Sequence, residues 1–208
     1  MPIALEAGGK HAELLQLEAC PRKVLKNFSS NRGMPEKIRI LVAYDSNTGN
    51  TEKMAEAVAE GARKAGAQVT LKKVSEVSAK DLLENDGFAF GTPTHCGTMS
   101  IRMNELFTKN GMPAWGKMRG KVGVAFSSSG GLGGGNEIAC LSLILSMLNY
   151  GMLVFGVPDY VAPGVTLHYG AVSVGKPNEE ALKACRLLGE RLAEYTSIVK
   201  NGMLNSKG

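Results

Sequence analysis

Residues 40–51 hold the densest set of groups that could do chemistry. An apolar run, Ile40-Leu41-Val42-Ala43-Tyr44, breaks after Asp45 into Ser46-Asn47-Thr48-Gly49-Asn50-Thr51. Three hydroxyls and two carboxamides crowd into six residues, and Gly49 lets the backbone bend close to a bound group. A helical pattern opens at Asn50. The polar turn therefore sits where a helix presents unpaired N–H groups and partial positive charge, which suits a phosphate. The turn contains no Lys or Arg. A cradle of neutral donors fits one terminal monophosphate, whereas a triphosphate with magnesium asks for a lysine and a metal-holding carboxylate. An ordinary capped loop would use the same residues, so the turn alone does not separate the two readings.

Two more loops share this character. One is Gly91-Thr92-Pro93-Thr94-His95-Cys96-Gly97-Thr98-Met99, and the other is Ser127-Ser128-Ser129-Gly130-Gly131-Leu132-Gly133-Gly134-Gly135-Asn136. They offer backbone donors and acceptors at close range and few bulky side chains to block a flat ligand.

The elements that must position these loops follow from hydrophobic periodicity. Strands are expected at 37–44, 68–74, 87–91, 121–126 and 152–157. Helices are expected at 50–64, 79–83, 99–109, 136–149 and 179–200. Met54, Val58, Ala62 and Ala65 share one helical face, and Gly66 closes that helix. Alternating strands and helices imply an α/β domain with a parallel sheet covered on both faces. In such a sheet ligands bind beyond the carboxyl ends of the strands. The three loops follow the first, third and fourth strands, so they are expected to meet at one edge.

Composition narrows the function further. The 208 residues are 44% apolar and 21% charged, ordinary for a globular protein able to bury a core. The net charge of +5 is spread thinly, +2 over residues 1–37 and +3 over the remainder. No dense basic run or basic–aromatic interleaving points to nucleic acid. Cys20, Cys96, Cys140 and Cys185 lie far apart without metal-site spacing, so no metal is expected and a reducing cytoplasm is. No apolar stretch is long enough to span a bilayer. Residues 1–37, with helical turns at His11–Ala19 stopped by Pro21, read as a peripheral extension. Residues 38–208 read as the functional domain.

The motifs now support a resemblance. Ser46-x-Thr48-Gly49-x-Thr51 after a strand is similar to the flavodoxin phosphate loop. Gly91-Thr92-Pro93-Thr94-x-x-Gly97-x-Met99 and Phe126-Ser127-Ser128-x-Gly130-x-x-Gly133-Gly134-Gly135-x-Glu137 resemble loops of the tryptophan-repressor-binding-protein-like NAD(P)H:quinone oxidoreductases. The resemblance covers roughly residues 38–200. It implies a flavodoxin-like three-layer sandwich with a five-stranded parallel sheet of order 2-1-3-4-5, an FMN cofactor, NAD(P)H as electron donor, a quinone acceptor and a homo-oligomer, tetramer or dimer.

Carried over by residue, Ser46, Asn47, Thr48, Gly49, Asn50 and Thr51 would hold the FMN phosphate. Pro93, Thr94, His95, Cys96 and Gly97 would border the ring and ribityl chain. Ser128, Ser129, Gly130, Gly131, Leu132 and Gly133 would lie against the ring's other edge. Trp115 matches a tryptophan that walls the quinone pocket. Tyr150 falls where the family usually has a histidine facing the flavin, and His95 and Cys96 stand where it often has arginine and phenylalanine. The long insertion that many members carry after strand two is missing.

Other motifs carry less. Gly111-Met112-Pro113-Ala114-Trp115-Gly116-Lys117 spells most of a P-loop, but Met118 replaces the magnesium-holding hydroxyl and no strand precedes it. The glycines at 130–135 lack dinucleotide-fingerprint spacing. The helix at 136–149 has little polar face, as expected of core plus subunit interface. A flavodoxin-type electron carrier between protein partners is the alternative function, disfavoured by the basic charge and the long glycine loop. A flavin-bound interaction module without turnover is a third.

Overall fold

A computed structural model describes residues 37–162 and 165–205. The turns expected at His11–Ala19 lie outside the described residues. Strand β1 (Arg39–Tyr44) runs through the centre. Its side chains alternate, with Ile40, Val42 and Tyr44 on one face and Leu41 and Ala43 on the other. Both sets are buried, as a parallel strand covered on two sides requires. After β1 come helix α1 (Asn50–Lys64), β2 (Gln68–Lys73), α2 (Ala79–Glu84), β3 (Gly87–Pro93), α3 (Ile101–Glu105), β4 (Val122–Ser129) and α4 (Asn136–Asn149). The chain ends with β5 (Leu153–Val154), β6 (Val157–Ala162), β7 (Val165–Leu167), β8 (Ala171–Val174) and α5 (Glu179–Asn205).

The main sheet has the order β2-β1-β3-β4-β5, with every pairing parallel. Its register matches Ile40 to Gly87 and Gly87 to Val122. Helices α1 and α5 cover one face through Met54, Val58, Leu188 and Leu192. Helices α2, α3 and α4 cover the other through Leu82, Met103, Leu143 and Met147, packed on Phe88 and Phe90. This is the expected three-layer sandwich.

Three elements differ from the sequence reading. The fifth strand, expected at 152–157, pairs with β4 only at Leu153 and Val154. The chain then leaves the sheet as the antiparallel β6–β7 pair and returns as β8, which pairs with Phe126–Ser129 of β4. One sheet position is thus filled in two pieces. Gly156, just past the first piece, lies against the His168 backbone, where the returning chain comes in before β8. Strand β4 in turn runs three residues past the expected 126, because β3 pairs with Ser127 and Ser128 on one side and β8 with Ser127, Ser128 and Ser129 on the other. The helix expected at 99–109 starts at Ile101, where the Ser100 hydroxyl accepts from the Met103 N–H, 3.2 Å. It ends in a π turn at Leu106–Asn110, closed by the Gly111 N–H on the Leu106 carbonyl, 2.7 Å.

Helix α2 is short, and its cap matters accordingly. The Ser78 hydroxyl accepts from the Asp81 N–H while the Asp81 carboxylate accepts from the Ser78 N–H, a complete capping box. Lys72 of β2 also donates to Asp81, 2.7 Å. Burial alone would raise the Asp81 carboxyl pKa, but the bonds from Lys72 and Ser78 outweigh it and hold it below the ordinary value. Its contribution is present above the unfolded pKa and is lost as pH falls through the folded one. Asp81→Asn is expected to cost about 1–2 kcal/mol near neutral pH. The difference from wild type shrinks on acidification below about pH 5. Urea unfolding across that range checks it.

Candidate functional site

The carboxyl ends of β1, β3 and β4 lie side by side, and the three polar loops meet there. Loop A joins β1 to α1. Gly49 occupies the N-cap position with a left-handed backbone, φ 83°, and donates its N–H to the Ser46 hydroxyl, 3.1 Å. No side chain caps α1. Its first-turn N–H groups therefore face outward beside the exposed Asn47 and Thr48. Thr51 turns inward, and its Oγ1 lies 2.9 Å from Ser128 Oγ in a buried contact between α1 and β4. Such a hydroxyl pair consumes one of its two protons and leaves the other for an acceptor.

Loop B follows β3. His95 and Thr98 exchange backbone hydrogen bonds of 2.9 and 3.0 Å across a two-residue turn. Its centre, Cys96 and Gly97, has φ 50° and 76°. That is a hairpin turn with left-handed central residues, unusual for a cysteine, and it sets His95 and Cys96 at the surface. Loop C runs from Ser129 to Gly135. Leu132 stands at its tip, 95% exposed. Gly135, φ 86°, starts α4 without a side-chain cap. A Cβ there would lie 3.1 Å from Gly97 Cα, so loops B and C touch backbone to backbone.

Cross-bonds fix the assembly. The Asp45 N–H donates to the Gly91 carbonyl, 2.9 Å, and the Thr94 N–H to the Ser128 carbonyl, 2.8 Å. Thr94 Oγ1 lies 3.1 Å from Ser127 Oγ. The Ser127 hydroxyl donates to the Thr92 carbonyl, 2.8 Å. The sequence reading missed two residues here, Asp45 and Arg102. The Asp45 side chain is 5% exposed and accepts from Arg102 Nε, 2.8 Å. Its other oxygen has no partner among the described residues. Arg102 also donates to the Asn47 carboxamide oxygen, and Asn47 Nδ2 lies 3.4 Å from His95 Nε2. Arg102 thus clamps loop A from α3. The signal was faint, a carboxylate at a strand end and an arginine one helical turn past a loop. Beside this clamp lies a cavity of about 370 Å³, bounded by Asp45, Ser46, Asn47, Lys73, Val74, Ser75 and Arg102. It is on the β2 side of loop A, not among the three loops.

Tyr150 and Trp115, expected to face the ligand, lie elsewhere in the chain. The Tyr150 hydroxyl is buried and donates to the Phe107 carbonyl in the π turn, 2.6 Å. Burial pushes its phenol above the ordinary value, so it stays a hydrogen-bond donor in the core. Trp115 Nε1 donates to the Asn149 carbonyl at the end of α4, 3.0 Å. Both sit at the amino edge, where Gly120 bonds Gly151 before β4 and β5 begin. Within one chain neither reaches the loops. Of the three candidates, His95 is the one carried on one of these loops. Among the described residues no cluster of three or more His, Cys, Asp or Glu could hold a metal ion. No described helix is long and apolar enough to cross a membrane.

The uncapped start of α1 fits a terminal monophosphate. Gly49, Gly97, Gly130, Gly131 and Gly133 have open space where a Cβ would stand, so all three loops leave backbone bare to a flat group. Fold and site together define a doubly wound mononucleotide-binding protein. The chain belongs to the flavodoxin family, whose profile matches residues 42–160. It is 52% identical over 166 residues to a protein of Aquifex aeolicus named flavodoxin, covering 79% of this chain and 90% of that one. It is 36% identical over 188 residues to an Archaeoglobus fulgidus protein named NAD(P)H dehydrogenase (quinone), covering 75% and 96%. Among solved structures, a WrbA-like flavodoxin from Agrobacterium tumefaciens superposes with a TM-score of 0.63. It is 26% identical and is matched over 77% of this chain and 98% of that one. Membership of the flavodoxin family implies FMN as cofactor, and NAD(P)H and quinone stand in the name of the Archaeoglobus fulgidus relative.

Two substitutions probe this geometry. Arg102→Ala leaves the buried Asp45 carboxylate unpaired, and is expected to cost about 1–3 kcal/mol in urea unfolding. Gly135→Ala puts a Cβ on a left-handed backbone against Gly97. It is expected to cost about 1 kcal/mol and to weaken FMN uptake several-fold, read by quenching of flavin fluorescence.

Proposed function

We propose that this chain uses FMN to pass two electrons from NAD(P)H to a quinone. The observation that carries the reading is the convergence of three neutral, glycine- and hydroxyl-rich loops on the uncapped start of α1. The names of the Archaeoglobus fulgidus relative and its kin support the quinone acceptor. Bound FMN would supply the chemistry, accepting hydride from NAD(P)H and returning the electron pair to the acceptor.

The chain's own residues bind, orient and exclude water. The N–H groups of Asn50 and Thr51, with the hydroxyls of Ser46, Thr48 and Thr51, hold the phosphate through neutral hydrogen bonds. Asn47 and Gly49 shape that turn. Pro93, Thr94, His95, Cys96 and Gly97 border one edge of the ring and Ser128, Ser129, Gly130, Gly131, Leu132 and Gly133 the other. Leu132 offers an apolar surface to a flat acceptor, and His95 offers the acceptor oxygen a hydrogen bond. No side-chain nucleophile is required. Residues 38–208 form the working domain, and residues 1–37 are an extension without chemistry of their own, in keeping with a family match that begins at residue 42. The protein works in the cytoplasm, where its separate thiols stay reduced.

A second reading has its own support. The Aquifex aeolicus relative, 52% identical, is named flavodoxin, and an electron carrier between proteins would use the same loops. Anaerobic mixing of FMN-loaded protein with NADH or NADPH, then benzoquinone, distinguishes them. The enzyme reading expects rapid loss of the visible flavin band and its return on adding quinone. A band untouched by either nucleotide, yet bleached by dithionite in two resolved steps, would leave the carrier.

A further inference from the structure

The cavity beside loop A differs in charge from the phosphate cradle next to it. Its wall holds two cations, Lys73 at the end of β2 and Arg102 of α3, with one carboxylate, Asp45. Val74 is the one apolar member of that wall, so an apolar ligand finds little to bury against. The volume of about 370 Å³ lies near the low end for small-molecule sites, roughly 300–1,000 Å³, and suits a sugar phosphate more than a whole dinucleotide. The donors around it are only partly used. Arg102 gives Nε to Asp45 and Nη2 to Asn47, while Nη1 has no partner among the described residues. The Lys73 side chain is 55% exposed, and its ammonium lies 3.8 Å from Glu52 Oε1, too far for a hydrogen bond. That oxygen already accepts from the Tyr44 hydroxyl, 2.6 Å. By contrast Lys72, one residue earlier, is bonded to Asp81. The buried Asp45 carboxylate has one oxygen on Arg102 and the other without a partner among the described residues. An unpaired buried acceptor is costly, and a sugar hydroxyl is a donor of the kind it lacks.

Asn47 joins this cavity to loop B. Its Oδ1 accepts from Arg102, and its Nδ2 lies 3.4 Å from His95 Nε2. One side chain therefore separates the cavity from the loop that borders the ring. We propose that the cavity holds the 2′-phosphorylated ribose of NADPH, so that the chain draws electrons from NADPH in preference to NADH. The inference rests on the reading that a pyridine nucleotide reduces the bound FMN, and it names which one. A phosphate monoester carries nearly two negative charges at neutral pH. Lys73, Arg102 and the exposed Ser75 meet it with hydrogen bonds, the first two charged at both ends. Asp45 supplies an acceptor for the neighbouring ribose 3′-hydroxyl. The rest of the dinucleotide crosses Asn47 toward loop B. NADH carries a hydroxyl in place of the 2′-phosphate and leaves both cations unmatched.

Titration calorimetry of the full-length, FMN-loaded protein with NADP⁺ and with NAD⁺ tests the cavity without turnover. NADP⁺ is expected to bind about ten-fold more tightly than NAD⁺. The margin is expected to narrow as salt screens the exposed cations. Lys73→Gln is expected to lose most of it by weakening NADP⁺, and Lys73→Arg to keep it. Ser75→Ala is expected to weaken NADP⁺ by about two- to five-fold. Anaerobic flavin reduction gives the matching kinetic readout, a half-saturating concentration lower for NADPH than for NADH, with the difference lost in Lys73→Gln. Equal affinity for the two nucleotides overturns this inference and leaves the quinone-reductase reading standing. So does a preference for NADP⁺ that Lys73→Gln leaves intact, or an affinity for inorganic phosphate equal to that for NADP⁺. If neither nucleotide binds or bleaches the flavin, the enzyme reading and this inference fall together.

Discussion

The parallel register of the three central strands, Ile40 to Gly87 and Gly87 to Val122, sets everything the site requires. It brings Tyr44 level with Gly91 and Pro93 level with Ser128, so that the N–H groups of Asp45 and Thr94 just beyond bond the Gly91 and Ser128 carbonyls. A slip of one residue would send Leu41 and Ala43 to the wrong face and exchange the two halves of the core. The same slip would part Thr51 from Ser128, the buried hydroxyl contact that joins the start of α1 to β4. Core packing and ligand geometry are therefore specified together.

The electrostatics of the site are built from backbone more than from charge. Loop A has no cation, and the positive potential at its surface comes from the first turn of α1. The nearby guanidinium of Arg102 is already engaged by Asp45 and Asn47. Its role is mechanical, holding loop A in shape from α3 and compensating a carboxylate that the fold has buried. Neutral donors hold a phosphate through the directions of their hydrogen bonds rather than through a paired cation.

The second half of the sheet shows how the sandwich accommodates an excursion. β5 holds only Val122 and Gly123 of β4, and β8 takes over beside Phe126–Ser129. The polar serines at the end of β4 are thereby ordered as strand, and the Ser129 carbonyl receives the Gly175 N–H at 2.7 Å. A segment from late in the chain thus supports loop C, whose tip Leu132 rises into solvent.

The sequence by itself determined the alternation of strands and helices, the limits of α1 and α4, the sheet order through family resemblance, and the three loops. Those features are written locally, in apolar periodicity and in Gly, Ser and Thr clusters at strand ends. The tertiary structure decided what depends on partners remote in the chain. Tyr150 and Trp115 sit in a plausible family position in sequence, but Phe107 and Asn149 claim their polar atoms at the far edge of the sheet. Ser127–Ser129 look like loop until β3 on one side and β8 on the other pair with them. Asp45 and Arg102 stand 57 residues apart and look ordinary until the fold buries one against the other. Periodicity reports which face a residue occupies, whereas a hydrogen bond or ion pair depends on which distant residue the register brings opposite it.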